Sequence, residues 1–158
     1  MDYRAVASLP EMFFAQAARL AERPFLWRKV DGAFRPLSWR QTAGTVNRLA
    51  RGLTARGLQP GERVALVAEN RPEWLIADHA IMAAGGITVP TFTTHTTADH
   101  KHVLTHSGAV GAIVSDKAIA RPLLPAALDA PELRFIVSME DLDLAQAATV
   151  EVTGWEAA

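Results

Sequence analysis

The sequence predicts an α/β fold: an N-terminal helix and a β-hairpin, a long second helix, then βα units forming a mostly parallel sheet. Three observations predict it. Val64 to Ala68 is a short unbroken apolar run, as a parallel strand covered on both faces requires. Comparable runs recur at Ile87–Pro90, Gly111–Val114 and Arg134–Ser138, with helical patterns between them. Strands alternating with helices in this way imply parallel pairing through right-handed crossovers. At 158 residues, 49% hydrophobic and 21% charged, the composition is globular and the length suits one domain over 1–158. Its expected parts are a helix–hairpin–helix over 8–57, the βα units over 61–139, and a weakly determined tail over 140–158.

Each element has a local cause. Ser8-Leu9-Pro10-Glu11 is a capping-box pattern, and Leu9, Met12, Phe13, Ala17 and Leu20 follow at helical spacing. Asp31-Gly32 between Phe25–Val30 and Ala33–Leu37 is a two-residue hairpin signal. Ser38 and Gln41 form a second capping box. Trp39, Ala43, Val46, Ala50 and Leu53 then line one face of a helix whose other face carries Arg40, Gln41, Arg48 and Arg51. Gly57 is placed to end that helix in the left-handed conformation. Asn70 or Arg71 caps the next helix, with Pro72 in its first turn. This helix, from Glu73 to Ala84, is apolar almost all round through Trp74, Leu75, Ile76, Ile81 and Met82, which predicts burial. A threonine-rich loop, Thr91–Thr97, leads to a helix over Ala98–Ser107 with Thr97 as its cap, and Asp116 caps another. Val150 to Val152 reads as a last strand, with Trp155 as its anchor.

Several function classes are excluded or disfavoured. There is no cysteine, so disulfides, thiolate metal sites and cysteine nucleophiles are absent. The most apolar stretch, Leu75–Val89, is shorter than the ~20 residues of a membrane-spanning helix and contains Asp78 and His79. Asp2 and Glu11 near the amino terminus, without an apolar stretch, argue against a secretory leader. Residues 1–72 hold twelve basic and six acidic side chains, and residues 73–158 four and eleven. The arginines are scattered, with no aromatic–basic stripe, so the reading is solvated helix faces and no nucleic-acid partner. Thirteen of the sixteen basic residues are arginine, which hints at a GC-rich bacterial coding sequence.

No catalytic constellation emerges from the residues. The first βα turn, Ala68-Glu69-Asn70-Arg71-Pro72, has no glycine that would let backbone close on a pyrophosphate. The threonine loop offers hydroxyls near a helix start but neither the glycines nor the lysine of a phosphate loop. His102 and His106 share a helix face at a spacing that can grip zinc, but only Asp99 lies nearby to complete a ligand set. The histidines at 95, 100, 102 and 106 therefore read as surface or half-buried side chains. The predicted catalytic, cofactor-binding and metal residues within this chain are none.

The string Gly61-Glu62-Arg63-Val64-Ala65-Leu66-Val67-Ala68-Glu69-Asn70-Arg71-Pro72-Glu73-Trp74 resembles a signature region of the AMP-forming acyl-CoA synthetases. So do Ile76-Ala77-Asp78, then Ala83 to Pro90, then Leu104 to Ala109 ahead of Ala112-Ile113-Val114-Ser115-Asp116. The Glu69–Trp74 segment looks most like the long-chain fatty acid branch, and Leu37-Ser38-Trp39 with the long helix before Gly57-Leu58 matches the family's approach to that strand. The likeness covers roughly residues 8 to 140. Locally the chain departs from it. Where many relatives have a proline-containing loop and a tyrosine in the next helix, this one has Thr93-Thr94-His95-Thr96-Thr97 and His102.

The resemblance implies the opening portion of the family's large N-terminal domain, within a longer ATP-dependent fatty acid–CoA ligase of fatty acid metabolism. Such enzymes use ATP, magnesium and coenzyme A to make an acyl-adenylate and then a thioester. Their phosphate loop, adenine motif, ribose-binding aspartate and catalytic lysine lie downstream of this segment, so none is carried onto a residue here. The chain alone is expected to be inactive and to hold no cofactor, while the parent takes a fatty acid. The expected location is cytoplasmic, peripheral to the membrane in the parent. Self-association through exposed apolar surface is also expected. The alternatives are a free-standing interaction module, or part of a fatty acyl-AMP ligase or a peptide-synthetase adenylation domain.

Overall fold

The computed structural model describes residues 6–142 and 150–155. Of the sequence-based expectations, Asp2 and most of the tail lie outside the described residues.

The Ser8 hydroxyl accepts from the Glu11 amide and opens α1 (Leu9–Leu20). The Glu11 carboxylate reaches past the serine and accepts from the Ala7 amide instead, at 2.8 Å, so the box closes one residue early. Phe13 and Ala17 are the buried members of the apolar stripe, and Leu9 is exposed. Strands β1 (Pro24–Val30) and β2 (Ala33–Ser38) form an antiparallel ribbon with Val30 opposite Ala33. Asp31 and Gly32 have φ of 49° and 78°, the two positive values a type I′ turn needs to match strand twist.

At α2 (Trp39–Ala55) both halves of the Ser38–Gln41 box are formed, at 3.1 and 2.9 Å. Val46, Leu49, Ala50 and Leu53 are buried, the four named surface residues are exposed, and Gly57 is left-handed at φ 86°. Strand β3 (Arg63–Val67) is followed by α3 (Pro72–Ala83), with Arg71 at its cap and Pro72 in the first position. Burial of α3 is one-sided. Ile76, Ala77, Ala80 and Ile81 are buried, whereas Trp74, Leu75 and Met82 are half-buried, which corrects the all-round expectation. The helix lies on the outside of the sheet, so one side of it meets water whatever its composition.

Strand β4 (Ile87–Pro90) leads through the threonine loop to α4 (Thr97–Ser107). Its cap is Thr96, not Thr97, because Asp99 sits three residues beyond Thr96 and completes a capping box with it. Then follow β5 (Ala109–Val114), α5 (Lys117–Leu128) capped by Asp116, β6 (Phe135–Ser138) and β7 (Glu151–Gly154). The third and fourth parallel strands thus start two residues earlier and one later than the sequence suggested.

The five parallel strands lie in the order β4-β3-β5-β6-β7. Alternation along them divides the core. Val64, Leu66, Ile113, Phe135 and Val137 face α1, α2 and α3. Ala65, Val67, Ala112, Val114 and Ile136 face α4 and α5, where small side chains let the helices approach closely. This is a three-layer α/β fold with a parallel sheet. Trp155 is half-buried against the first of these clusters.

Candidate functional site at the carboxyl edge of the sheet

Strand β3 has β4 on one side and β5 on the other, so the chain leaves β3 and β5 in opposite directions. Between their carboxyl ends is a topological switch point, where open α/β sheets leave a crevice for ligands. The opposite edge is tied shut by arginines. Arg63 donates to the carbonyls of Ser107 and Gly108 at 2.7 and 2.8 Å, and Arg134 forks onto Glu62 at 3.1 and 2.6 Å while reaching the Gly57 carbonyl. The Glu62 carboxyl is held below its ordinary range chiefly by Arg134. The carboxyl edge is therefore the place to look for function.

After β3, Glu69 and Asn70 are exposed, and Arg71 donates to Glu73 at 3.0 Å and to Glu140, beyond β6, at 2.7 Å. Arg28 of the hairpin lies 3.8 Å from the same Glu73. Burial works against the charge on Arg71, but the two carboxylates outweigh it and its pKa is raised. This guanidinium is a clasp between the loops that follow β3 and β6, held by carboxylates of its own chain. After β5, Ser115 is fully buried with its hydroxyl unpartnered, and it follows the side of the strand on which Ile113 faces α3. Asp116 spends its carboxylate on the Ile119 amide.

The threonine loop is less ordinary than its composition suggested. Thr91 Oγ1, His95 Nδ1 and His100 Nε2 are buried without a hydrogen-bond partner, as is Thr88 Oγ1 within β4. The His95 and His100 rings meet edge-on with centroids 5.4 Å apart, and Phe92 packs on His95 at 5.5 Å. His100 is 1% exposed, which overturns its reading as a surface or half-buried side chain. Desolvation lowers its pKa, and His95 adds to the effect. A signal was available: His100 and Leu104 are four apart and share the inward face of α4. His102 and His106 are exposed and stack in parallel at 5.4 Å. Among the described residues no group of three or more His, Asp or Glu side chains could hold a metal ion.

In chemical terms the edge offers hydroxyls and imidazoles on one side of the switch point and an arginine paired with carboxylates on the other. A family profile described as "AMP-binding enzyme" matches residues 13–157, nearly the whole chain. The chain belongs to the AMP-binding enzyme family. It is 37% identical over 83 residues to the long-chain-fatty-acid–CoA ligase FadD15 of Mycobacterium tuberculosis, across 52% of this chain and 14% of that protein. With the peroxisomal long chain acyl-CoA synthetase 7 of Arabidopsis thaliana it shares 29% over 147 residues, 90% of this chain and 21% of the relative. The fold matches the crystal structure of coronafacic acid ligase from Pectobacterium brasiliense with a TM-score of 0.82 at 18% identity, over 94% of this chain and 28% of the other. The chain therefore spans about a fifth of the length of these relatives.

The residues present do not fit the triphosphate that an AMP-forming reaction consumes. At the α3 start Glu73 lies in the first turn, and Arg71 at the cap is paired with Glu73 and Glu140. At α4 the Asp99 carboxylate already accepts from the Thr96 amide and hydroxyl, and at α5 Asp116 does the same work for Ile119. Each helix start that could receive phosphate carries or faces a carboxylate.

Proposed function

We propose that these residues form the opening βα scaffold of a long-chain fatty acid–CoA ligase, and that the 158-residue chain alone neither binds ATP nor activates an acid. The observation that carries this is the family match over residues 13–157, set beside carboxylates at all three helix starts on the carboxyl edge. The long-chain preference is supported by the names of two relatives that the chain resembles. On this reading 1–158 is one unit, with 8–57 as helix–hairpin–helix, 61–139 as the sheet and 140–158 as its last strand and tail. The parent uses ATP, magnesium and coenzyme A in a cytoplasmic setting.

The scaffold's part is mechanical. A parallel sheet clasped at one edge by Arg63 and Arg134 gives the remainder of such an enzyme a rigid wall. The test compares the 158-residue chain with the same residues continued through the remainder of the ligase, in their own reading frame or grafted onto a relative. Calorimetry with ATP and a pyrophosphate-release assay with a long-chain fatty acid, magnesium and coenzyme A are run on both. The short chain is expected to be silent and the continued chain active. Pyrophosphate release by the short chain would place an active site within it, and a folded but inactive continued chain would favour the interaction-module reading.

A further inference from the structure

Helix α4 sends its histidines to two sides. His100 is turned inward with Leu104, whereas His102 and His106, four residues apart, lie together on the exposed surface. Their rings stack with centroids 5.4 Å apart and planes 10° from parallel. The polar neighbours along the helix are engaged elsewhere. Lys101 is paired with Asp129 at the end of α5 at 2.8 Å, the Asp99 carboxylate accepts from Thr96, and the Ser107 hydroxyl donates to the Val103 carbonyl. Among the described residues neither His102 nor His106 has a hydrogen-bond or ion-pair partner, so the ring nitrogens of both are open to a ligand. The pair stands toward the end of α4 that Arg63 ties down, away from the crevice at the carboxyl edge.

We infer that His102 and His106 form a two-imidazole chelate for a divalent cation of the zinc, nickel and copper class, with water in the remaining positions. Metal–nitrogen bonds of about 2.0–2.1 Å place two imidazoles on one metal with their centroids roughly 6 Å apart. The rings already stand within that span. Both are exposed, so rotation about their side-chain torsions brings a nitrogen of each to a shared point without displacing a packed neighbour. The helix supplies the preorganisation: once one bond has formed, the second imidazole is held one turn away at high effective concentration. The donor set decides the class of metal. Imidazole suits zinc, nickel and copper(II), with copper(II) held most tightly, while magnesium and calcium require oxygen ligands that two imidazoles do not supply. Since the described residues offer no third ligand, the site is open to water and differs from a closed structural centre. The bridge spans one helical turn and exists only while that turn is formed, so binding is linked to folding. The inference is independent of the acyl substrate and of whether the short chain turns over.

The experiment is titration of the untagged 158-residue chain with the chlorides of zinc, nickel, copper(II) and magnesium, followed by calorimetry and by thermal unfolding. Wild type is expected to bind zinc, nickel and copper(II) and to leave magnesium unbound. Zinc at ten times its Kd should raise the folding constant about elevenfold and Tm by roughly 3–6 °C. His102→Ala and His106→Ala should each weaken zinc binding by about tenfold or more and remove the rise in Tm. Both positions are exposed, so far-ultraviolet circular dichroism of the metal-free variants should match wild type. Electron paramagnetic resonance of the copper(II) complex should show a pair of nitrogen ligands in wild type and a single one in either variant. A zinc Kd weaker than about 1 mM, or zinc binding that neither single variant lowers, overturns the proposal. So does binding that a folded His95→Gln variant loses while His102→Ala and His106→Ala retain it, which would assign the metal to the threonine loop.

Discussion

Gly111 lies in β5, paired with Val64 on one side and Phe135 on the other. A Cβ added there would stand 2.2, 2.3 and 2.9 Å from Cζ, Cε2 and Cε1 of Phe135. The ring lies across the glycine and is 1% exposed, so it has nowhere to retreat without displacing other core side chains. The backbone of Gly111 is not in the left-handed region, so the cost of alanine is steric. Overpacking of a dense core costs about 1–3 kcal/mol, and overlap with three ring atoms places Gly111→Ala near 3 kcal/mol. For a domain of this size that corresponds to a fall in Tm of roughly 6–12 °C. Phe135→Leu alone should cost about 1–2 kcal/mol through the space it empties. The double variant should be more stable than the sum of the two losses, because the shortened side chain makes room for the new methyl. Urea titrations of the four proteins supply the cycle. A Gly111→Ala midpoint equal to wild type, or strict additivity, would refute the packing argument.

Three further outcomes are expected. Ser38→Ala should cost ~1 kcal/mol and Gln41→Ala less, since the serine holds an amide of the first turn and the glutamine only closes the box; a neutral Ser38→Ala in urea titration would remove the cap from the ledger. Trp74→Ala should cost about 2 kcal/mol by the same measurement, below the 3–5 kcal/mol of a fully buried aromatic, because Trp74 is only half-buried. His100 has a folded pKa below its unfolded value, so the unfolded chain binds more protons between the two. Stability is therefore complete above the ordinary histidine value near ~6.5 and declines as pH falls through it, and His100→Gln should flatten the Tm profile between about pH 7 and 5. A wild-type profile already flat there would contradict the burial of that ring.

Most elements could be read from the sequence because local chemistry and burial agreed. Ser38 and Gln41 fixed the start of α2, Asp31-Gly32 the turn of the ribbon, and the run from Val64 the first central strand. The misses came where one local signal competed with another or with position in the fold. Thr97 lost the cap to Thr96 because the carboxylate of Asp99 selects the residue three before it. Hydrophobicity all round α3 suggested burial all round, yet a helix on the outer layer of a three-layer fold buries only the stripe that meets the sheet and its neighbours. Composition cannot report which layer an element occupies.

The site was harder to read for a related reason. His100 carries no motif, and its burial follows from α4 packing its His100–Leu104 face inward, a tertiary fact. Ser115 ends a strand in a pattern that any loop could show, and only the register with β3 puts it beside the switch point. Conversely, in the charged string from Glu69 to Glu73, the most distinctive segment in the sequence, Arg71 and Glu73 are engaged by the chain itself. Arg71 joins Glu73 and Glu140, and Arg28 brings the ribbon onto the same carboxylate. A distinctive string therefore need not mark a ligand. Here it joins the ribbon, the α3 start and the end of β6 at one edge of the sheet. Breaking Arg71 removes the cation that Glu73 and Glu140 share and leaves Glu73 with Arg28 at 3.8 Å, so the link from the α3 start to the end of β6 is the part of this edge that depends on that guanidinium.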